Sequence, residues 1–221
     1  MRRAIGALAA LAISASVASA QNPPAPFSWT GIYAGAGIGG GAAIHEPSMG
    51  PVSLDSSAAQ GFLATAIIGY DFRVNRNVIA GVFFDVDLSN MATSSDFPIF
   101  FSSGDHRYSW AFGTRAGYLV NPATLLYVAA GYTRAGFDFG TLITFDHIGD
   151  VDLHGYFLGA GVEAQLAGNW SLRGEYRFTQ FQPETVLHLC GCGDTVDVET
   201  SMHTGRLSLI YRFGLSGAPP P

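Results

Sequence analysis

Hydrophobic and polar residues alternate with a period of two in eight separate segments of the chain. In "NWSLRGEYRFTQF" (Asn169–Phe181), Trp170 and Tyr176 fall on one parity, whereas Arg173 and Arg177 fall on the other. Successive side chains of a β-strand point to opposite faces of a sheet, so this segment predicts a strand with one apolar and one charged face. The same pattern predicts further strands near Trp29–Gly40, Gln60–Phe72, Val78–Ser89, Arg107–Val120, Leu125–Phe139, Leu153–Ala167 and Met202–Phe213. The start of Leu125–Phe139 is apolar on both faces, which leaves its register open.

The chain is apolar overall, yet it has no helix-length apolar run after Gln21. Hydrophobic residues make up 48% of the chain and charged residues only 13%, whereas soluble domains typically carry about 25% charged residues. A membrane helix needs about 20 mostly apolar residues in succession. Because every backbone polar group must be satisfied inside lipid, a closed barrel is the other structure that can span a membrane. One soluble sandwich or barrel domain would also fit this length.

The connections between the predicted strands alternate in length. The short ones are rich in turn-forming residues and lie at Arg73–Asn77, Asn121–Thr124 and Ala167–Asn169. The long ones lie at Gly41–Ala59, Asn90–His106, Gly140–Asp152 and Gln182–Ser201. Short turns at one end and long loops at the other are typical of outer-membrane barrels, whereas a secreted sandwich has no reason to sort its loops this way. We therefore predict an all-β fold, an eight-stranded antiparallel transmembrane up-and-down β-barrel.

The first residues predict export from the cytoplasm. Arg2 and Arg3 precede the apolar run Ile5–Val17 and an A-x-A cleavage motif that ends at Ala20, which is the layout of a secretory signal peptide. The predicted organisation is a signal peptide at 1–20, a short N-terminal lead at 21–28, the barrel at 29–213 and a flexible Pro-rich tail at 214–221.

Aromatic residues gather near both ends of the predicted strands. Those near the short turns are Trp29, Tyr70, Phe72, Tyr118, Tyr127, Trp170, Tyr211 and Phe213. Those nearer the long loops are Phe84, Tyr108, Trp110, Tyr156, Phe178 and Phe181. We interpret them as two interfacial girdles. Ordinary core aromatics are the alternative, because strands favour aromatic residues in general.

A set of charged residues shares the face opposite the apolar one. Its members are Asp85, Asp87, Arg115, Glu163, Arg173, Glu175, Arg177 and Arg206. An arginine that faces lipid at mid-membrane costs about 2–4 kcal/mol, so we predict that these residues face the lumen and pair there. Glu163 is the expected partner of an arginine in Asn169–Phe181, and inward glycines such as Gly35, Gly37, Gly113, Gly159 and Gly161 are expected to leave room for arginines. The set forms either an ion-pair plug or a narrow ion path, and an interior just wide enough for side chains favours the plug.

The last long loop contains residues with ligand chemistry, namely His188, Cys190, Cys192 and Asp194. They are candidates for a metal site, but structural zinc sites space their cysteines by two to four residues, so a simple loop is the favoured interpretation. The histidines lie in loops or at strand mouths (His45, His106, His147, His154, His188 and His203), together with most of the carboxylates. A solvated acidic surface is the favoured interpretation, and weak cation binding or a pH response through histidine is the alternative. We expect no cofactor and no enzymatic activity, because the common catalytic motifs are absent from the sequence. Without Arg2 and Arg3 the chain has nine arginines against 17 acidic residues, which argues against nucleic acid as a partner.

Several stretches resemble the small outer-membrane barrels of alphaproteobacteria, surface antigens of the opacity-protein and OmpA-barrel type. They are "FSWTGIYAGAGIGGG", "IIGYDF", "FGTRAGYLV", "GAGVEAQLAGNWSLRGEYRF" and "LSLIYRF", and together they extend from Phe27 to Phe213. The resemblance implies a multi-pass protein of the outer membrane of a Gram-negative bacterium, in contact with lipid and lipopolysaccharide. It also implies that the barrel-assembly machinery reads the last strand through Leu207, Leu209, Tyr211 and Phe213. Such families usually end on the aromatic residue of that strand, whereas "GLSGAPPP" follows Phe213 here.

The predicted function is structural, or a surface interaction with a host or environmental ligand through the long loops. A small porin or channel is the alternative. A lipid A-modifying barrel enzyme is a third reading, since His106 with Ser109, or His154, could stand at the outer lipid-facing rim.

Overall fold

The computed structural model describes residues 27–49, 52–53, 57–93, 102–140, 147–189 and 194–214. The signal peptide predicted at 1–20, residues 21–26 of the lead and residues 215–221 of the tail lie outside this part of the chain. No helix in the described part has the length and apolar character needed to cross a membrane.

The described residues form one closed antiparallel sheet. Its strands are β1 (Gly31–Met49), β2 (Val52–Ser53), β3 (Ser57–Arg73), β4 (Val78–Thr93), β5 (Ser102–Asn121), β6 (Thr124–Gly140), β7 (His147–Ala167), β8 (Trp170–Phe181), β9 (Glu184–Leu189) and β10 (Asp194–Gly214). Eight of them form the wall in the order β1-β3-β4-β5-β6-β7-β8-β10, and β10 pairs with β1 from Gly31↔Gly214 to Met49↔Val196, which closes the barrel. The short strands β2 and β9 pair with β1 and β10 at the outer end. The eight-stranded up-and-down barrel predicted from the alternation is confirmed.

The two ends of the strands differ in how well the sequence predicted them. At the short-turn end the predicted and observed limits agree within two residues. At the opposite end the predicted long loops are wrong in extent, because β1 runs to Met49 and β5 begins at Ser102. The prediction used the roughly 10 residues that a strand needs to cross lipid. Backbone pairing does not stop at the lipid surface, since each added antiparallel pair satisfies further N–H and C=O groups.

Asparagine side chains stabilise two of the short turns by hydrogen bonds to the backbone. Asn75 Oδ1 accepts from the backbone N–H groups of Asn77 and Val78, each at 2.9 Å. Asn121 Oδ1 accepts from Ala123 N at 2.9 Å. Asparagine favours turns because its side chain bonds to the backbone two residues on, so the sequence specifies these hairpins locally.

Alternation sorts side chains between lipid and lumen as predicted for most of the wall. Phe62 is 76% exposed and Ile38 is 71% exposed on the outward face. Three aromatics assigned to the girdles lie inside instead: Trp29, Tyr127 and Phe181 are buried in apolar clusters of the lumen. The girdle prediction is wrong for these three residues because proximity to a strand end does not say which side of the wall a ring occupies.

Some inward glycines make room for rings, whereas Gly159 is the cross-strand partner of Arg177, as the sequence predicted for a glycine opposite an arginine. Gly69, Gly161 and Gly131 are the direct cross-strand partners of Tyr33, Tyr127 and Phe157. A Cβ at Gly161 would lie 2.6 Å from the ring of Tyr127, and one at Gly131 would lie 2.7 Å from the ring of Phe157. Of the glycines predicted to face arginines, Gly113 lies against Phe157 and Phe83, whereas Gly35 and Gly37 lie against Ile210 and Ser208. Each glycine thus lets a neighbouring side chain lie flat over the backbone in a narrow interior.

Candidate functional site: the charged lumen

In the described part of the chain, ten ionised side chains lie buried inside the barrel and divide into two clusters. The lower charged cluster, nearer the short turns, consists of Asp71, Arg115, Glu163, Arg173 and Arg212. The upper charged cluster, nearer the hairpin ends, consists of Asp85, Asp87, Glu175, Arg177 and Arg206. All of these residues occupy alternate positions of β3, β4, β5, β7, β8 and β10 whose side chains point into the lumen.

Glu163 is the centre of the lower charged cluster. Its Oε2 accepts from Arg115 Nη1 at 2.9 Å and from Arg173 Nη2 at 2.8 Å. Its Oε1 accepts from Arg212 Nη2 and from Ser171 Oγ, both at 2.7 Å. Arg173 is the register partner of Glu163 across β7 and β8, whereas Arg115 and Arg212 reach it from β5 and β10. The carboxylate of Glu163 therefore joins β7 to three other strands.

Asp71 is the second anion of the lower charged cluster. Arg115 donates to both of its oxygens, from Nε to Oδ1 at 2.9 Å and from Nη2 to Oδ2, and Arg212 Nη1 donates to Oδ2 at 2.8 Å. Aromatic rings also contact the arginines of this cluster. The guanidinium carbon of Arg115 lies 4.8 Å from the centre of the Tyr33 ring, and that of Arg212 lies 4.7 Å from the centre of the Trp29 ring. Cation–π contacts of this kind contribute most when water is excluded.

The upper charged cluster is organised by two arginines. Arg177 forms a two-pronged pair with Asp85, from Nη2 to Oδ2 at 2.7 Å and from Nη1 to Oδ1 at 3.2 Å, and it also donates from Nε to Glu175 at 3.1 Å. Arg206 Nη2 donates to Asp87 at 2.6 Å. Such paired geometry suits the planar guanidinium, and it bridges β8 and β10 to β4 on the far side of the barrel.

The charges in the lumen balance. The ten residues are five arginines and five carboxylates, with one excess positive charge in the lower charged cluster and one excess negative charge in the upper one. Tyr127 links the two clusters, since its hydroxyl donates to Glu175 at 2.7 Å while its ring lies 5.1 Å from Arg115 and 5.7 Å from Arg173. Removing one member of a buried pair leaves the other charge uncompensated, so the network is highly interdependent.

Apolar side chains flank the charges in the described lumen on the side of the hairpin ends and at the lower mouth. Those on the side of the hairpin ends are Leu63, Met91, Leu153, Phe181 and Met202, together with three alanines. At the lower mouth, Trp29 is fully buried and its Nε1 donates to the carbonyl of Pro122 at 3.0 Å. A cavity lined mainly by residues of the upper charged cluster measures about 10 Å³, which is roughly the room of one water molecule.

Sequence parity identified most of these residues and one of their pairings, since Glu163 was expected to pair with an arginine of Asn169–Phe181 and pairs with Arg173; the other pairings were not predicted. The structure brings together all eight residues predicted for the lumen: Asp85, Asp87, Arg115, Glu163, Arg173, Glu175, Arg177 and Arg206. Asp71 and Arg212 were missed, although both occupy inward parity positions of β3 and β10 and could have been found by extending the alternation to the strand ends. Tyr33 and Tyr127 carry no charge, so the charge pattern gave no sign of them.

The remaining site candidates lie elsewhere or outside the described residues. Cys190 and Cys192 lie outside them, as do the side chains of His188 and Asp194. Over the residues that are described, no group of three or more His, Cys, Asp or Glu is arranged to hold a metal ion. Four candidate assembly residues lie on the outward face of β10: Leu207, Leu209, Tyr211 and Phe213.

The residues considered for a catalytic rim are not arranged as that reading requires. Ser109 is buried inside the barrel and donates to Asp87 at 3.4 Å, so its placement at a lipid-facing rim is wrong. The side chain of His106 lies outside the described residues. On the outward face, His154 Nδ1 is bonded to the hydroxyl of Tyr132, and His203 Nδ1 lies 2.6 Å from the hydroxyl of Tyr176.

Comparison with known proteins agrees with this architecture. A model of the outer membrane protein beta-barrel domain matches residues 5–213. The 31 kDa outer-membrane immunogenic protein of Brucella melitensis is 28% identical in an alignment of 231 positions, gaps included, that covers 95% of this chain and 95% of that protein. The 22 kDa outer membrane protein of Rhizobium leguminosarum bv. viciae is 31% identical over 70% of this chain and 65% of its own length.

Among solved structures, that of the outer membrane protein AlkL in lipid bilayers superposes with a TM-score of 0.51 at 16% identity, covering 93% of this chain and all of that one. At this identity the likeness concerns the fold alone. Taken with the family match over almost the whole chain, the closed wall, its apolar exterior and its ion-paired lumen identify the chain as a member of the outer membrane protein β-barrel family, located in the outer membrane.

Proposed function

We propose that this protein is a sealed outer-membrane scaffold that works at the cell surface through the outer ends of its hairpins and carries no catalytic site. The observation that carries the proposal is that the ten buried charges of the described residues sum to zero and are packed among apolar side chains. A lumen filled in this way stabilises the wall and leaves no room for a solute. Contacts at the cell surface are then made by the chain segments that extend beyond the barrel wall.

The names of the relatives support a surface role. The Brucella protein is described as an outer-membrane immunogenic protein, which is consistent with segments that are accessible on the cell. In the outer-membrane layout the longer connections face outward, so the ends of the β4–β5 and β6–β7 hairpins are the expected accessible segments.

Conductance in planar bilayers tests the sealed lumen. The refolded mature protein should give no stable conductance steps, whereas Asp85→Ala combined with Arg177→Ala should open a passage because it removes the pair that crosses the lumen. Glu199→Gln is the control, since that exposed carboxylate bonds to Gln180 on the outer face. Stable wild-type conductance that changes on replacement of Arg173 or Glu175 would show a channel instead.

Binding of antibodies to intact cells tests the surface role. Serum raised against the folded barrel should label cells that express the wild-type protein, and trimming residues 94–101 between β4 and β5 should reduce the labelling while heat-modifiable gel mobility shows that the barrel is still folded. A variant with a deletion in the short turn at 74–77, at the opposite end of the barrel, is the matched control and should be labelled like the wild type. Equal labelling of both variants and of cells without the protein would contradict the surface role.

A further inference from the structure

A groove crosses the outward face of the wall near its outer end. It has a volume of about 590 Å³ and spans β5, β6, β7 and β8. Two cross-strand rows of outward side chains border it. The upper row is Phe112–Tyr132–Tyr156–Gln180, and the lower row is Thr114–Ala130–Leu158–Phe178. Neighbouring strands lie about 4.8 Å apart, so the groove extends for about 14 Å along the wall.

Small residues form the floor of the groove. Thr114 and Ala130 are paired across β5 and β6, and the glycines beside them, Gly113 and Gly131, are also paired and carry no side chain. The ring of Phe157 packs under both glycines from the lumen side. The floor is therefore bare backbone with two small side chains, whereas the bordering rows carry rings and Leu158. An elongated apolar recess on the membrane side of the wall results.

A polar row lies directly above the groove, on the side of the hairpin ends. It consists of Trp110, Arg134 and His154, which are register partners on β5, β6 and β7. The hydroxyl of Tyr132, in the upper row of the groove, bonds to His154 Nδ1 and orients that ring, so a ligand would meet Nε2. Arg134 forms an exposed pair with Asp152 through Nη2, and its guanidinium has five N–H donors in all.

We propose that this surface binds one lipid A-type molecule of the outer leaflet, with an acyl chain in the groove and a phosphate at Arg134 and His154. The apolar lining, the length and the position on the membrane face of the wall suit an acyl chain, which fills the recess by van der Waals packing, the contribution that favours association inside lipid. A guanidinium and an imidazole one row above suit a phosphate, which Arg binds with paired hydrogen bonds. The outward aromatic rings place the boundary between chain and head group at Tyr132 and Tyr156, because such rings prefer the membrane interface.

Native mass spectrometry of the full mature protein tests the proposal. The barrel is released from detergent in the presence of bis-phosphorylated lipid A, dephosphorylated lipid A or phosphatidylethanolamine. We expect one lipid A to stay bound under collision energies that strip phosphatidylethanolamine. Ala130→Trp fills the floor and should lower retention of both lipid A forms about tenfold or more, as expected when several methylenes lose their contacts. Arg134→Ala should lower retention about tenfold for the phosphorylated form only, as expected for the loss of a charge-assisted hydrogen bond.

Ala66→Trp is the matched control, because Ala66 is an exposed outward alanine on β3, away from the groove. It should retain lipid A like the wild type, and heat-modifiable mobility shows which variants are folded. Should Ala130→Trp not fold, Ala130→Leu provides a smaller obstruction with the same expected direction. Equal retention of all three lipids, or equal behaviour of the Ala130 and Ala66 variants, would overturn the proposal. A spectrum in which two copies of the chain replace the lipid, and which Ala130→Trp returns to monomers, would assign the groove to a dimer instead.

Discussion

Tyr127 donates its hydroxyl to Glu175 at 2.7 Å across the lumen, from β6 to β8. The contact joins the lower and upper charged clusters, whose excess charges are opposite in sign. It also explains why a tyrosine with a fully inward side chain is used at this position rather than a phenylalanine. The lumen behaves as one polar network, and its members can be tested one at a time.

Replacing Tyr127 with phenylalanine removes this bond and keeps the ring under Arg115 and Arg173. The free energy of unfolding should fall by about 2 kcal/mol, as expected for a hydrogen bond to a charged group. Urea titration in phospholipid vesicles measures it. Tyr70→Phe, at an exposed outward tyrosine of β3, is the control. Equal effects of the two substitutions would show that Tyr127 contributes through its ring alone.

Glu163→Gln should lower the free energy of unfolding far more than Tyr127→Phe, because it leaves three arginines around a neutral amide. We expect a loss of about 3–5 kcal/mol, the cost of breaking a buried ion pair on one side. Glu199→Gln, at an exposed carboxylate, should change the unfolding free energy by less than about 0.5 kcal/mol. A Glu163→Gln protein as stable as the wild type would mean that the lower charged cluster does not stabilise the barrel.

The positions of the tryptophans give a spectroscopic test of the lumen assignment. Trp29 is fully buried at the lower mouth, whereas Trp170 is 44% exposed and Trp110 also faces outward. In single-tryptophan variants, brominated lipids should quench the fluorescence of Trp110 and Trp170 and leave Trp29 largely unaffected. Strong quenching of Trp29 would place it in the interfacial girdle, where the sequence first suggested it.

The pair between Arg134 and Asp152 predicts a shifted titration at the outer end of β7. The hydrogen bond from Arg134 holds the pKa of Asp152 below its ordinary value of 3.8. The folded-state pKa is lowered, so the pair is fully formed above pH 3.8 and is lost as the pH falls through the lower value. Carbon NMR of the Asp152 carboxyl should show a midpoint below 3.8 that rises in Arg134→Ala. Arg76→Ala, in the exposed β3–β4 turn, should leave it unchanged.

The outward residues at the end of β10 offer a test of assembly in the cell. We propose that Tyr211 and Phe213 form part of the signal that the assembly machinery reads. Replacing both with alanine should then lower the folded fraction several-fold in cells while the purified chain still folds in detergent, both measured by heat-modifiable mobility. Tyr118→Ala removes an exposed ring at the same end of the barrel and is the control. An equal loss in cells and in detergent would indicate a plain stability effect.

The local sequence pattern was sufficient to predict the strands of the barrel wall. The alternation in Trp170–Phe181 separates lipid-facing rings from inward charges without any knowledge of partners, because the period of a strand depends only on its own backbone. The asparagines at positions 75 and 121 likewise specify their turns locally. Fold class, strand order, parity and the short-turn ends could therefore be derived from the sequence.

Only the closed tertiary structure decided which inward residues meet. Arg177 and Asp85 are 92 positions apart, and parity places both inside without saying that they face each other. That depends on the closure of β10 on β1 and on the stagger between strands, which a single strand does not encode. The same holds for Trp29, which precedes β1 and folds back into the mouth, and for Tyr127, whose segment is apolar on both faces. The sequence by itself determined an outer-membrane barrel with a charged interior, and closure of the sheet determined that the buried charges of the described residues form a balanced network, since pairing across a lumen is a property of all eight strands together.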